Sequence, residues 1–126
     1  MPSIRVIHPD EMRIPPNPTP GMDRREAFSN EAAWAGTVRT EPAVMTGWHV
    51  HADYDTYIHV NAGRLHIEYG PGGTISADAG PGDFMLIPRG VVHREGTAEG
   101  SAGVEAVLVR VGRGEPVTNV DGPEPG

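Results

Sequence analysis

GDFMLIPRGVVH, Gly82 to His93, is the stretch on which the fold turns. It opens on a glycine turn, runs through the apolar residues Phe84 to Ile87, reverses at Pro88-Arg89-Gly90 and delivers a histidine to the returning strand. Proline presets the backbone angle at one turn position and glycine accepts the angles that other residues avoid, so the reversal is local. His93 therefore falls at a defined distance from the strand start. Phe84 and Leu86 read as core. Taken alone, His93 reads equally as a core histidine bonded to backbone.

Upstream lies GWHVHADYDT, Gly47 to Thr56. Residues two apart on a strand project to the same face, so His49 and His51 point together, close enough to chelate one ion. Met45 and Gly47 share that inward face, while Trp48 and Val50 face away. A His-x-His pair by itself is weak evidence, since two solvent-facing histidines arise readily by chance.

The rest of the chain narrows the chemistry. Its 126 residues suffice for one domain with a core of its own. There is no cysteine, which excludes disulfides, thiolate metal sites and cysteine nucleophiles. Any metal must use histidine, carboxylate or water. All ten basic residues are arginine, so no Schiff-base or phosphate-loop lysine is available. A net charge of −7 argues against nucleic-acid or anionic-membrane partners, both of which need a basic surface. No run of apolar residues is long enough to span a bilayer, and MPSIRVIHPDEM lacks the apolar core of a signal peptide. A cytoplasmic location is expected.

Gly 17 and Pro 13 mark many turns between short segments, which suits an all-β fold. WAGTVRT, AVMTGWHVH, TYIHVNA, RLHIEY, GTISA, DFMLIP, VVHRE and VEAVLVRVG are short runs rich in β-branched or aromatic residues. GPGG at 70–73 reads as a hairpin turn, because no helix follows it to make a phosphate cradle. Ser3 to Ile7 is expected as a short strand, PPNPTPG at 15–21 as extended loop, and Met22 to Asn30 as a short helix opened by Asp23 and Glu26. The organisation expected is residues 1–32 packing on the outside, a barrel over 33–111, and a Pro/Gly-rich tail over 112–126 that is disordered or lies along the surface.

The two histidine stretches together resemble the motifs of the cupin superfamily. The first motif, G-x5-H-x-H-x(3,4)-E-x6-G, is met by His49, His51 and the closing Gly63. The second, G-x5-P-x-G-x2-H-x3-N, is met by Gly82, Pro88, Gly90 and His93. The resemblance covers roughly Ala33 to Val111 and is closest in kind to small single-domain bacterial cupins. It implies a jelly-roll β-barrel. The departures are informative. Thr56 stands at the glutamate position counted back from Gly63, while Asp55 stands at the shorter permitted spacing. Ala43 replaces the first glycine and Thr97 the last asparagine.

Carried over residue by residue, the resemblance implies metal ligation by His49, His51 and His93. The carboxylate does not carry over cleanly, and three readings stay open. Asp55 is the fourth ligand or a general base beside it, the site is three-histidine with water, or the metal is lost and the pocket holds an organic ligand. Thr56 reads as a hydrogen-bonding partner of bound water or substrate. The ion would be one divalent transition metal, Fe, Mn, Ni, Cu, Co or Zn. The resemblance further implies a small organic substrate with enolate, diketone, catechol-like or carboxylate oxygens. It implies a metal-dependent dioxygenase-type oxidoreductase, with a redox-neutral isomerase or lyase and a non-catalytic metabolite- or metal-binding protein as the alternatives. A homodimer, with Ser3 to Ile7 covering an edge across the interface, is also expected. Elsewhere, Glu68 and His66 share a face and pair, Arg94 faces away from the ligands, and Arg39 and Arg64 are the arginines considered for an anionic substrate.

Overall fold

The computed structural model describes residues 2–16, 18–112 and 117–125. Within them run ten strands: β1 Met22–Ser29, β2 Ala33–Thr40, β3 His49–Val50, β4 Tyr54–Gly63, β5 Leu65–Tyr69, β6 Ile75–Ala79, β7 Phe84–Ile87, β8 His93–Thr97, β9 Val104–Gly112 and β10 Thr118–Asn119. They form two five-stranded sheets, β1-β2-β9-β4-β7 and β10-β3-β8-β5-β6. Every pairing is antiparallel. Among the described residues the only helical pieces are single 3-10 turns at Pro9–Glu11 and Pro71–Gly73, the second making the β5–β6 reversal expected from GPGG. Among the described residues no helix is long and apolar enough to cross a membrane.

The alternation of the two longest partners sets where the core ends and the site begins. Along β4 the inward residues are Tyr54, Thr56, Ile58 and Val60, all buried. Along β9 they are Val104, Ala106 and Leu108, then Arg110. Because the two strands run antiparallel, Ile58 and Val60 lie against Leu108 and Ala106, whereas Thr56 lies against Arg110. One end of the sandwich is therefore filled by an apolar cluster that also includes Leu65, Ile67, Ala79 and Ile87. The other end carries polar side chains on the same inward faces and stays open.

Two backbone positions explain glycines of the motif pattern. Gly63 has φ 78°, and a Cβ there would sit 1.7 Å from the carbonyl oxygen of Gly103. At the first glycine position of the pattern Ala43 adopts φ 60°, a left-handed angle that costs an alanine and not a glycine.

Four expectations are corrected. Met22–Ser29 is a strand, not a helix: it pairs with β2 from Met22↔Thr40 to Ser29↔Trp34 through a bulge between Glu26 and Phe28. Its Arg, Glu and Ala favour helix locally, but a sheet edge with apolar surface beneath it outweighs a propensity worth tenths of a kilocalorie per residue. Ser3 to Ile7 forms no strand, and Ile4 and Val6 are 97% and 69% exposed. Phe84 and Leu86 point outward, 79% and 51% exposed, while Met85 and Ile87 turn in; a four-residue apolar run does not reveal its own parity. Part of the tail is built into the fold, since β10 pairs with β3 through Thr118↔Val50 and Asn119↔His49. Residues 113–116 and 126 of the tail, like Met1 and Asn17 of PPNPTPG, lie outside the described residues.

Candidate metal centre

β3 and β8 bring the histidines together. His49 and His93 face each other directly in register, and His51 follows on the same face of the chain as His49. All three are buried, and one ring nitrogen of each lies within 4.8 Å of the others. The ring centroids are 4.2 Å apart for His49 and His93, 4.8 Å for His51 and His93, and 5.2 Å for His49 and His51.

Each Nδ1 is engaged. That of His49 lies 2.9 Å from the Gly47 carbonyl and that of His93 2.9 Å from the Val91 carbonyl. A carbonyl only accepts, so both Nδ1 atoms carry the proton, and in the neutral imidazoles both Nε2 atoms present a lone pair. The Nδ1 of His51 lies 3.2 Å from Thr56 Oγ1. Tyr54 stacks on the His51 ring at 4.8 Å and fixes its plane.

The acidic group beside the histidines comes from β8. Glu95 follows His93 by two residues, and its Oε1 lies 3.7 Å from His49 Nε2 and 3.8 Å from His93 Nε2. Its side chain is 14% exposed. Burial alone would raise its pKa, but His49 and His93 beside it hold the carboxyl below the ordinary range. Burial acts against the charged form of His93, yet Glu95 outweighs it and shifts that histidine upward. His51 is different: burial, then the neighbouring His93, pushes it down to about 3, so it stays a neutral imidazole across physiological pH.

The donor set fits a divalent cation. Among the described residues His93 Nε2 is fully buried without a hydrogen-bond partner, a state that costs free energy unless something binds there. An ion with bonds of about 2.1 Å to imidazole nitrogen would satisfy it.

Asp55 lies elsewhere. It falls between the inward Tyr54 and Thr56, so strand alternation turns it outward. There it accepts from the Arg89 backbone N–H at 2.8 Å and pairs with that residue's guanidinium at 3.3 Å. Arg89, backbone first, lowers its pKa. Thr56, at the glutamate position of the pattern, does face inward, where it touches His51. Arg39 and Arg64 are on the surface with Glu105 and Asp78 as partners. His66 pairs with Glu68, and Arg94 lies over Trp48, away from the ligands.

Glu95 has a signal in the sequence that the motif comparison hides. The same two-residue rule that pairs His49 with His51 pairs His93 with Glu95 in HRE. Arg110 is legible likewise, as the last inward position of VEAVLVRVG.

His49 and His51 open onto a cavity of about 580 Å³ lined also by Glu95, Thr56, Trp34, Arg24 and Arg110. Ile14, Pro15, Pro16 and Pro18 also line it, as do Val117 and Asn119 of the tail. The proline segment is tied down where Arg13 bridges to Glu26 of β1.

Residues 36–110 match the family model described as Cupin domain. No curated protein sequence matches the chain. Among solved structures, the chain is similar to a conserved protein of Klebsiella pneumoniae with a double-stranded β-helix domain. The TM-score is 0.71 at 19% identity, over 94% of this chain and 98% of that one. It is similar to the polyketide cyclase RemF of Streptomyces resistomycificus, with TM-score 0.74 at 22% identity over 94% and 86%. It is also similar to Bacillus subtilis oxalate decarboxylase, which has Mn(II) centres, with TM-score 0.71 at 18% identity; there 88% of this chain covers 31% of the other. With the paired motifs, two facing antiparallel sheets and a family match over residues 36–110, this chain belongs to the cupin family.

Proposed function

We propose that the protein is a metal-dependent enzyme acting on a small organic molecule, its ion held by His49, His51, His93 and Glu95. The observation that carries this reading is the pair of backbone-locked Nδ1 atoms, which turn the lone pairs of His49 and His93 toward one point beside a buried carboxylate. Three neutral imidazoles and a carboxylate suit Mn, Fe, Co, Ni, Cu or Zn, and the absence of sulfur ligands favours the harder members. Asp55, committed to Arg89, is left out of the ligand set.

The chain's own residues have separable tasks. Gly47 and Val91 carbonyls orient two imidazoles, and Thr56 orients the third by accepting from His51 Nδ1. Glu95 neutralises one of the two charges of the ion. Trp34 and residues of the proline segment give the cavity apolar wall. A divalent ion held there would supply a Lewis-acid centre for a substrate oxygen.

The chemistry proposed is dioxygenase-type oxidation, in which both atoms of O₂ enter the substrate and no separate reductant is consumed. The protein, reconstituted anaerobically with Fe(II) or Mn(II), is supplied with candidate substrates in an oxygen electrode, and products are weighed after ¹⁸O₂ exposure. Uptake with two labelled atoms per product supports the oxidative reading. Turnover without O₂ moves the assignment to a redox-neutral isomerase or lyase, and binding without turnover under either condition moves it to a metabolite-binding protein.

A homodimer belongs to the same reading. Tyr57, Phe84 and Leu86 leave apolar surface exposed on the outer face of the first sheet, and Ile4 and Val6 of the N-terminal arm are exposed as well. A second copy covers such surfaces at the smallest cost in new sequence.

A further inference from the structure

We infer that the cavity takes a small organic carboxylate, whose anionic end is held by Arg24 and Arg110 while its other oxygen donors reach the metal centre. The inference names the substrate class for the site proposed above and rests on the same cavity.

The first observation is a contrast among the arginines. Arg13, Arg25, Arg39, Arg64, Arg89 and Arg94 each have a carboxylate partner. Arg24 and Arg110, the two that line the cavity, have none among the described residues. Glu26, the next inward residue of β1 after Arg24, is already taken by Trp34 Nε1 at 2.7 Å and by Arg13.

The second observation is that both guanidiniums keep donors to spare. The Nε atoms of Arg24 and Arg110 are buried and unpartnered among the described residues. Arg24 reaches Thr19 Oγ1 at 2.9 Å and the Met22 sulfur at 3.4 Å. Arg110 lies over the rings of Trp34 and Tyr54, with Cζ 4.8 and 5.3 Å from their centroids. Stacking engages the flat face of a guanidinium and leaves its in-plane N–H fork free, which is the part that grips a carboxylate.

The third observation is charge. Burial first, then the like charge of Arg110, disfavours the protonated form of Arg24. Glu95, which lines the same cavity, favours the charge on Arg24 but forms no ion pair with either arginine, and a ligand carboxylate placed between the guanidiniums relieves both desolvation and repulsion. The chain as a whole is acidic at −7, so two arginines without a carboxylate partner are a local feature of this cavity.

Placement links the anion end to the metal end. Arg110 is the register partner of Thr56, which touches His51, and Arg110 lies over Tyr54, which stacks on the same His51. Trp34, Ile58 and Leu108 supply apolar wall for the carbon body. Of the oxygen-bearing substrates a metal centre accepts, enol, diketone and catechol give these arginines no full negative charge at neutral pH, and a carboxylate does.

Calorimetric titration of the metal-reconstituted protein with acetate, benzoate, succinate and 2-oxoglutarate tests this, beside benzamide and inorganic phosphate. At least one carboxylate is expected to bind ten-fold or more tighter than the amide. Arg24→Gln and Arg110→Gln are each expected to weaken it at least ten-fold with metal content unchanged. Arg110→Lys keeps the charge but loses the fork, and an intermediate loss is expected. It also serves if Arg110→Gln does not fold. Equal binding of amide and acid, unchanged affinity in the arginine variants, phosphate binding alone, or no carboxylate binding at millimolar concentration overturns the inference. Elemental analysis of the same samples separates the two readings. Metal retained without carboxylate preference defeats this inference alone. Arginine-dependent carboxylate binding by protein that takes up no metal supports it and defeats the metal reading.

Discussion

Glu95 lies two residues beyond His93 on β8 and turns its carboxylate back onto it, Oε1 to Nε2 at 3.8 Å, with His49 Nε2 at 3.7 Å from the same oxygen. Thr56 occupies the inward position on β4 at which the motif places its glutamate, and the carboxylate beside the three histidines comes instead from the facing sheet. In the proposed centre the acidic donor therefore lies on β8.

Thr56 then acts through His51. With Nε2 of His51 turned to the ion its Nδ1 carries the proton, and removing the Thr56 hydroxyl leaves that buried N–H without an acceptor. Thr56→Val is expected to weaken metal affinity by about 10- to 100-fold, while Thr56→Ser retains it. Competition with a metal-responsive chelator measures both. Equal affinity in all three proteins removes Thr56 from the site.

Ala43 holds φ 60° where glycine is unstrained. Ala43→Gly is expected to raise stability by about 1 kcal/mol, relief of the left-handed angle outweighing the added freedom of the unfolded chain. Urea denaturation followed by fluorescence reads the change directly. A loss of stability means that the alanine methyl makes packing contacts worth more than the strain.

His66 bonds Asp78 through Nδ1 at 2.5 Å and Glu68 through Nε2 at 2.9 Å. Asp78, then Glu68, raises the pKa of His66 above 6.5, and His66 lowers those of both acids. The protonated histidine is favoured in the folded state, so its contribution is full below pH 6.5 and fades as pH rises through the raised value. The contributions of the acids are present above their ordinary values of 3.8 and 4.5 and fade as pH falls through the lowered ones. The trio is expected to stabilise most between about pH 4.5 and 6.5, by on the order of 1 kcal/mol or less at this partly exposed position. The stability difference between wild type and His66→Asn, followed across pH, checks the sign. A difference that grows above pH 7 contradicts it.

Phe84 and Leu86 are exposed on the outer face of the first sheet. Light scattering at micromolar concentration is expected to give twice the chain mass, and Phe84→Asp to give one chain mass with the fold intact by circular dichroism. A monomeric wild type removes the dimer.

The sequence makes the barrel and the histidines legible because both rest on local rules. Pro88 and Gly90 dictate a reversal, and His49 and His51 share a face by the period of a strand. Three features escape for physical reasons. Met22–Ser29 has helix-favouring residues, and only its pairing with β2 makes it a strand. Phe84 and Met85 are equally apolar, so parity is set by the register with β4. Arg24, on a segment whose residues favour helix, looks like any other arginine until the pairing of β1 places it at the cavity, whereas Arg39 and Arg64 prove to be ion-paired at the surface. Asp55 fits the motif spacing but not the alternation, and Arg89 claims it.

Elemental mass spectrometry of untagged, anaerobically purified protein, beside Asp55→Ala, Glu95→Ala and His93→Ala, tests the metal centre most directly. About one transition-metal ion per chain is expected in the wild type and in Asp55→Ala, with loss in His93→Ala and a marked fall in Glu95→Ala. Metal lost from Asp55→Ala but kept by Glu95→Ala, or a wild type that takes up no metal even after reconstitution, would contradict it.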